Sequence, residues 1–71
     1  MTKQEYVLLL QKGYTQKQLA EHIGVHQPKI STWLNGVRFP NSTSLHKLAD
    51  FLQEDPQELM EKLKIAAQMP S

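Results

Sequence analysis

The sequence predicts an all-α protein built from five short helices. Apolar residues recur three and four positions apart in five separate segments, and four of these segments begin directly after Thr, Asn or Asp, which cap helices well. No segment predicts a strand. Because 71 residues with 39% hydrophobic content allow one small core, we expect a single domain over residues 1–71.

The first two helices are predicted from their ends. Thr2 followed by Glu5 forms a capping box, in which each side chain accepts a hydrogen bond at the helix start. Thr15 is the predicted N-cap of the second helix. Gly24 closes that helix, because glycine adopts a positive φ at little cost. The two helices are predicted to span residues 3–12 and about 16–23.

The third helix is expected over about residues 27–35, with a proline in its first turn, where backbone N–H groups lack intrahelical partners. Its apolar residues have the spacing of an inward face, so we expect Trp33 in the core and not as a stacking platform for bases. Asn35 and Gly36 end the helix. The residues from 37 to 40 are predicted to form a loop.

The last two helices also have clear starts. Asn41 is the predicted N-cap of a helix that runs to about Gln53. Asp55 is the next N-cap, with Pro56 at the first helical position and Glu58 completing a capping box, and this helix runs to about residue 67. The predicted core residues of helices two to five are Leu19, Ala20, Ile23, Ile30, Trp33, Leu34, Leu45, Leu48, Ala49, Leu52, Leu59, Met60, Leu63 and Ala66.

The charge is distributed unevenly along the chain. The net charge is +1, but residues 1–38 carry +3 and residues 39–71 carry −2. A small protein with this polarity can orient on a polyanion, although a chance scatter of a few charges would give the same pattern. Four successive apolar residues, 7–10, exceed what one inward stripe needs, so a second subunit is expected to cover part of this surface.

Composition argues against several classes of protein. The chain has no cysteine, and its apolar runs are too short for a membrane span or a secretion signal, so we expect a cytoplasmic protein. His22 and His26 have a metal-ligand spacing, but Gly24 interrupts the helix between them, and we expect neither metal nor cofactor. The chain has no cysteine nucleophile and no glycine-rich phosphate loop, and so small a chain hardly forms a catalytic pocket, so we expect no enzyme and no small-molecule ligand.

The segment from Thr15 to Gly36 predicts a helix-turn-helix unit. Two short helices joined by a tight turn cross steeply, and the second then points outward with a shape that fits the major groove of DNA. Ala20 is small where the helices approach each other, and Gly24 permits the turn.

These residues resemble the Cro/repressor-type family of helix-turn-helix proteins, also called the XRE family. The resemblance covers roughly residues 6 to 59 and is carried by T-Q-x-x-L-A-x-x-I-G-V, then Q-P-x-I-S-x-W-L-N-G, then R-x-P-x-x-x-x-L-x-x-L-A. It implies a compact five-helix lambda-repressor-like domain and a bacterial or phage transcriptional regulator. The leading hypothesis is a repressor that binds double-stranded DNA at a palindromic operator as a homodimer, because one recognition helix covers too few base pairs to select a genomic site. The two subunits are expected to meet through the fifth helix or the connection between the fourth and fifth helices.

Within this motif, the first turn of the third helix is expected to contact bases. Gln27 can bond bidentately to adenine, and Pro28 can touch a thymine methyl. Lys29 can reach either a guanine or a phosphate, and Thr32 lies one turn further on. The expected contacts to the DNA backbone come from Gln16, Ser31, Asn35 and Arg38.

One pair of positions departs from the family pattern. Many members carry arginine at the position of Leu9 and glutamate at that of Leu34, paired across two helices. We predict that an apolar contact between the leucines replaces this ion pair, since such exchanges are often neutral for stability. His26 stands where a serine-like N-cap is common, and its ring could face a phosphate.

A protein-interaction module is the alternative function. An antitoxin-like or adaptor protein would use the same fold to hold a protein partner, with little or no DNA binding. The near-zero net charge and the apolar surplus of the first helix favour this alternative. The salt dependence of binding to duplex DNA distinguishes the two hypotheses.

Overall fold

The computed structural model describes residues 1–70 and contains five α-helices. No strand occurs within these residues, so the all-α prediction is confirmed. The helices are α1 (Lys3–Gln11), α2 (Gln16–Ile23), α3 (Gln27–Leu34), α4 (Ser42–Leu52) and α5 (Pro56–Gln68).

Side-chain caps set most of the helix starts, as the sequence predicts. Thr2 and Thr15 each form a complete capping box, and the Asn41 side chain accepts the Ser44 N–H at 2.8 Å. Only one of the two hydrogen-bonding parts of the capping box predicted for α5 is present, so the prediction of a complete box is wrong. The Asp55 carboxylate accepts two backbone N–H groups, but the Glu58 side chain does not accept a hydrogen bond from the Asp55 backbone N–H.

The first helix ends one residue earlier than predicted, at Gln11. Lys12 adopts the left-handed conformation with φ 51°, before Gly13, which also has positive φ. Lys12 also makes a long-range contact: its Nζ donates to the Leu52 carbonyl at 2.9 Å and lies 3.7 Å from the Glu54 carboxylate. The turn after α1 is thereby tied to the turn after α4.

One hydrophobic core joins all five helices. α2 packs on α3 and α4, and α5 packs on α1, α3 and α4. Thirteen of the core residues predicted for helices two to five are buried; Met60 is only partly buried at the edge of the core. Trp33 is 2% exposed, which confirms its place in the core.

The expected contact between Leu9 and Leu34 is wrong. Leu34 is 1% exposed, whereas Leu9 is 61% exposed and does not belong to the core or to the residues packed against it. The phase of α1 explains the difference, because Val7 and Leu10 take the inward positions and leave Leu9 on the outer side.

Candidate nucleic-acid interface

The turn between α2 and α3 fixes the angle at which α3 leaves the core. Gly24 has φ 85°, and the N–H groups of Gly24 and Val25 both donate to the Ala20 carbonyl, at 2.8 and 3.0 Å. An L-residue with a side chain rarely adopts this conformation. Ala20 and Ile30 are buried between the helices, so the crossing is rigid.

The outer side of α3 is polar and open to solvent. Gln27, Pro28 and Lys29 are exposed, and Ser31 and Thr32 are half-buried. The inner side is buried in the core. No side chain caps the start of α3, since His26 makes no capping hydrogen bond. Of the four positions predicted for base contact, Gln27, Pro28 and Lys29 are therefore exposed on the first turn of α3, and Thr32 is half-buried one turn further on.

A shallow depression beside the start of α3 brings the two predicted glutamines together. Gln16 and Gln27 both line it, next to Leu8 and Gln11 of the first helix. Gln11 is buried, and its amide donates to the Tyr14 carbonyl at 2.9 Å, which stabilises the turn before α2. The first residue of α2 and the first residue of α3 thus face the same space, as a contact shared between a phosphate and a base requires.

A second depression lies on the other side of α3. Lys29, Thr32 and Arg38 line it, so three of the predicted contact residues are neighbours there. Asn41 and Ser44, from the start of α4, line the same depression. We did not predict these two as site residues; the only signal in the sequence was the role of Asn41 as an N-cap.

Two internal hydrogen bonds change what the predicted side chains can offer. The Thr32 hydroxyl donates to the Lys29 carbonyl at 2.7 Å, so Thr32 presents its methyl group and an acceptor oxygen to a ligand. The Asn35 amide donates to the Ser31 carbonyl at 2.8 Å and lies 3.3 Å from the Ser31 hydroxyl. Asn35 and Ser31 thus form one linked unit at the end of α3.

The cations of the chain differ in whether they are already paired. Lys29 and Arg38, which line the second depression, and Lys17 on α2 are exposed and make no ion pair within residues 1–70. Lys3, Lys47 and Lys64 make none there either. Lys12 and Lys62 both pair with the buried carboxylate of Glu54. The hydrogen bond from Lys62 to Glu54 raises the pKa of Lys62 above its ordinary value.

Other types of site find little support in the described part of the chain. No group of three or more His, Asp or Glu residues is placed to hold a metal ion among residues 1–70. The His22 ring packs against the Phe51 ring, with centroids 4.0 Å apart. No helix in these residues is long and apolar enough to cross a membrane.

Comparison with known families agrees with this geometry. A helix-turn-helix family model matches residues 6–59, which include α2, the turn at Gly24 and α3. No individual curated protein and no solved structure gives a significant match. The matched segment covers most of the chain and carries the exposed helix described above. The chain therefore belongs to the Cro/XRE-type helix-turn-helix family of DNA-binding transcriptional regulators and has their all-α, lambda-repressor-like fold.

Proposed function

We propose that this protein is a repressor that binds a palindromic operator as a homodimer, with α3 in the major groove. The observation that supports this proposal best is the polar face of α3, exposed from Gln27 to Lys29 while the opposite side of the helix is buried. A helix held in this way can enter a groove without disturbing the core.

The proposed base contacts come from Gln27, Pro28, Lys29 and Thr32. The Gln27 amide offers a donor and an acceptor to adenine, which discriminates against other bases by about 1–3 kcal/mol. Pro28 and the Thr32 methyl group suit thymine methyls, because the Thr32 hydroxyl proton is already engaged within the helix. Lys29 reaches a guanine or a phosphate. The variant Lys29→Gln distinguishes the two, because loss of a phosphate contact weakens binding to all sequences alike.

The proposed backbone contacts come from Gln16, Ser31, Asn35 and Arg38. Gln16 is the first residue of α2, where the backbone N–H and the side-chain amide both suit a phosphate. Arg38 lines the opposite depression, so phosphates on both sides of the groove have a partner. Asn41 and Ser44 extend this second group of polar side chains.

A homodimer is proposed because the surface that contacts bases is small. One recognition helix touches only a few base pairs, which does not select a single genomic site. The protein measures 29 × 23 × 20 Å, so two copies side by side match the scale of one turn of DNA, about 34 Å. Repression would then result when an occupied operator overlaps a promoter and excludes polymerase.

Selection of bound duplexes from a random pool tests this proposal. A palindromic consensus with half-sites about one helical turn apart would support the operator and the dimer together. Enrichment of a single, asymmetric half-site would contradict the dimer. If no sequence is enriched and binding to duplex DNA does not respond to salt, the protein-interaction module is the better description.

A further inference from the structure

Gln11 is a buried polar side chain whose capacity for hydrogen bonds is only partly used. It is 6% exposed, and its Nε2 donates to the Tyr14 carbonyl at 2.9 Å. Its Oε1 accepts no hydrogen bond from residues 1–70, although this oxygen is not sealed from solvent. A carboxamide held this deep normally uses both its donor and its acceptor, so the open acceptor indicates a place where a further side chain binds.

The Tyr14 carbonyl fixes the direction of the Gln11 amide. A backbone carbonyl only accepts hydrogen bonds, so the nitrogen of the amide must face Tyr14 and the oxygen must point to the other side. An amide on the surface exchanges these two atoms by turning over, whereas the Gln11 amide would lose its hydrogen bond. Gln11 therefore presents an acceptor in a defined direction.

This acceptor lies next to residues proposed to contact DNA. Gln11 and Gln16 together line two depressions, one shared with Gln27 and the other with Asn35. Gln16 is half-buried, so its side-chain amide stays close to the protein surface. No charged side chain lines either depression, and the carboxamides are therefore the groups that bind there.

We propose that Gln11 is a positioning residue that sets the direction of the Gln16 amide, and through it that of Gln27, on a bound duplex. Gln16 donates one N–H to the Gln11 oxygen and the other to a phosphate, and its own oxygen accepts an N–H of Gln27. Gln27 keeps one N–H and its oxygen for adenine. This proposal rests on the function proposed above and adds a residue that itself touches no DNA.

The chain of amides has one direction because it begins at a backbone atom. Each amide donates toward the Tyr14 carbonyl and accepts from the next amide, so a reversed Gln27 would bring its oxygen against the oxygen of Gln16. Hydrogen bonds in such a chain also polarise one another. Gln27 thus enters the groove with its donor and acceptor assigned, which favours adenine over guanine, whose major-groove edge presents two acceptors.

A double-mutant cycle on DNA binding tests this coupling. The measured quantity is the ratio of affinities for a selected site and for the same site with the contacted A·T pair changed to G·C. Gln11→Met keeps nearly the shape of glutamine without the amide, and we expect it to lower this ratio by about twofold to tenfold. In a Gln16→Ala background it should not lower the ratio further. Gln57→Met is the matched control, since Gln57 is exposed on α5 and lines neither depression.

A purely structural role of Gln11 gives a different result. Gln11→Met would then weaken binding to both sites alike, also in the Gln16→Ala background, and this outcome would overturn the proposal. Since the chain of amides carries no charge, the variant should leave the slope of log K against log salt concentration unchanged. Retained base preference without coupling refutes only the role of Gln11, whereas a wild-type protein that prefers no duplex refutes the proposed function as well.

Side-chain amide signals in NMR spectra of the wild-type protein give a measurement that needs no variant. Both amide protons of Gln16 have an acceptor in the proposed complex, so we expect their exchange with water to slow when a selected duplex binds. The amide protons of Gln57 should exchange as fast as before. Slowing of only one Gln16 proton, or of neither, would overturn the proposal, because a phosphate contact alone engages a single proton.

Discussion

The salt dependence of DNA binding is the prediction that tests the proposed interface most directly. Three exposed cations, Lys17, Lys29 and Arg38, lie on α2, on α3 and in the loop after α3, and none has an internal acidic partner in the described residues. Lys12 and Lys62 are already paired with Glu54, so we do not expect them to displace counterions from DNA.

The expected magnitude follows from this number of cations. Each phosphate neutralised on duplex DNA contributes about −0.9 to the slope of log K against log salt concentration, so three contacts give about −2.7 per bound copy. Between about 50 and about 200 mM salt, this slope corresponds to roughly 40-fold weaker binding for one copy. A bound dimer doubles the slope.

Fluorescence anisotropy of a labelled random duplex across a salt series provides the assay. Lys29→Gln should make the slope shallower by about 0.9 per copy if this lysine binds a phosphate. Lys64→Gln is the matched control, because Lys64 is exposed on α5 and does not line either depression beside α3. A wild-type slope shallower than about −1, or an equal effect of both variants, would refute the reasoning.

Three further predictions concern recognition and stability. Gln27→Ala should cost about 1–3 kcal/mol on a selected site and relax the preference at one base position, whereas equal loss on every sequence would exclude base reading. Urea unfolding followed by tryptophan fluorescence measures the free energy of unfolding of two glycine variants. Gly24→Ala should lower it by about 1–2 kcal/mol because of the positive φ, and Gly36→Ala by about 2–5 kcal/mol because the added methyl group would also overlap Ala67 of α5. Equal losses in the two variants would contradict this reasoning. Because the hydrogen bond to Glu54 raises the pKa of Lys62 above 10.5, the stability that Lys62 adds is present below pH 10.5 and is lost as the pH rises past its folded pKa. The difference in Tm between wild type and Lys62→Met should therefore shrink in that alkaline range, and a constant difference would argue against the charged contact.

Several features of the fold could be predicted from the sequence because local chemistry determines them. The threonines at positions 2 and 15 cap α1 and α2 through hydrogen bonds that span three residues. Gly24 ends α2 because the required φ suits glycine. The helical spacing of apolar residues identified the buried side of α3 and, by exclusion, its exposed polar side. The contacts of that polar side with DNA remain predictions.

Other features depend on residues that are far apart in the chain, so they could not be predicted from local patterns. Lys12, which follows the end of α1, contacts the carbonyl of Leu52, which lies 40 residues away. The exposure of Leu9 depends on which side of α1 meets α5, and four successive apolar residues do not specify that side.

The sequence by itself determined the number of helices, their caps, the turn between α2 and α3 and the family, because these depend on residue types at short fixed spacings. Only the tertiary structure decided which other polar side chains become neighbours, such as Lys29 with Asn41 and Ser44. It also decided which lysines are paired, since Glu54 pairs with Lys12, just after α1, and with Lys62, in the middle of α5. The physical reason is that packing of the core sets the distances between helices, and no single segment contains that information.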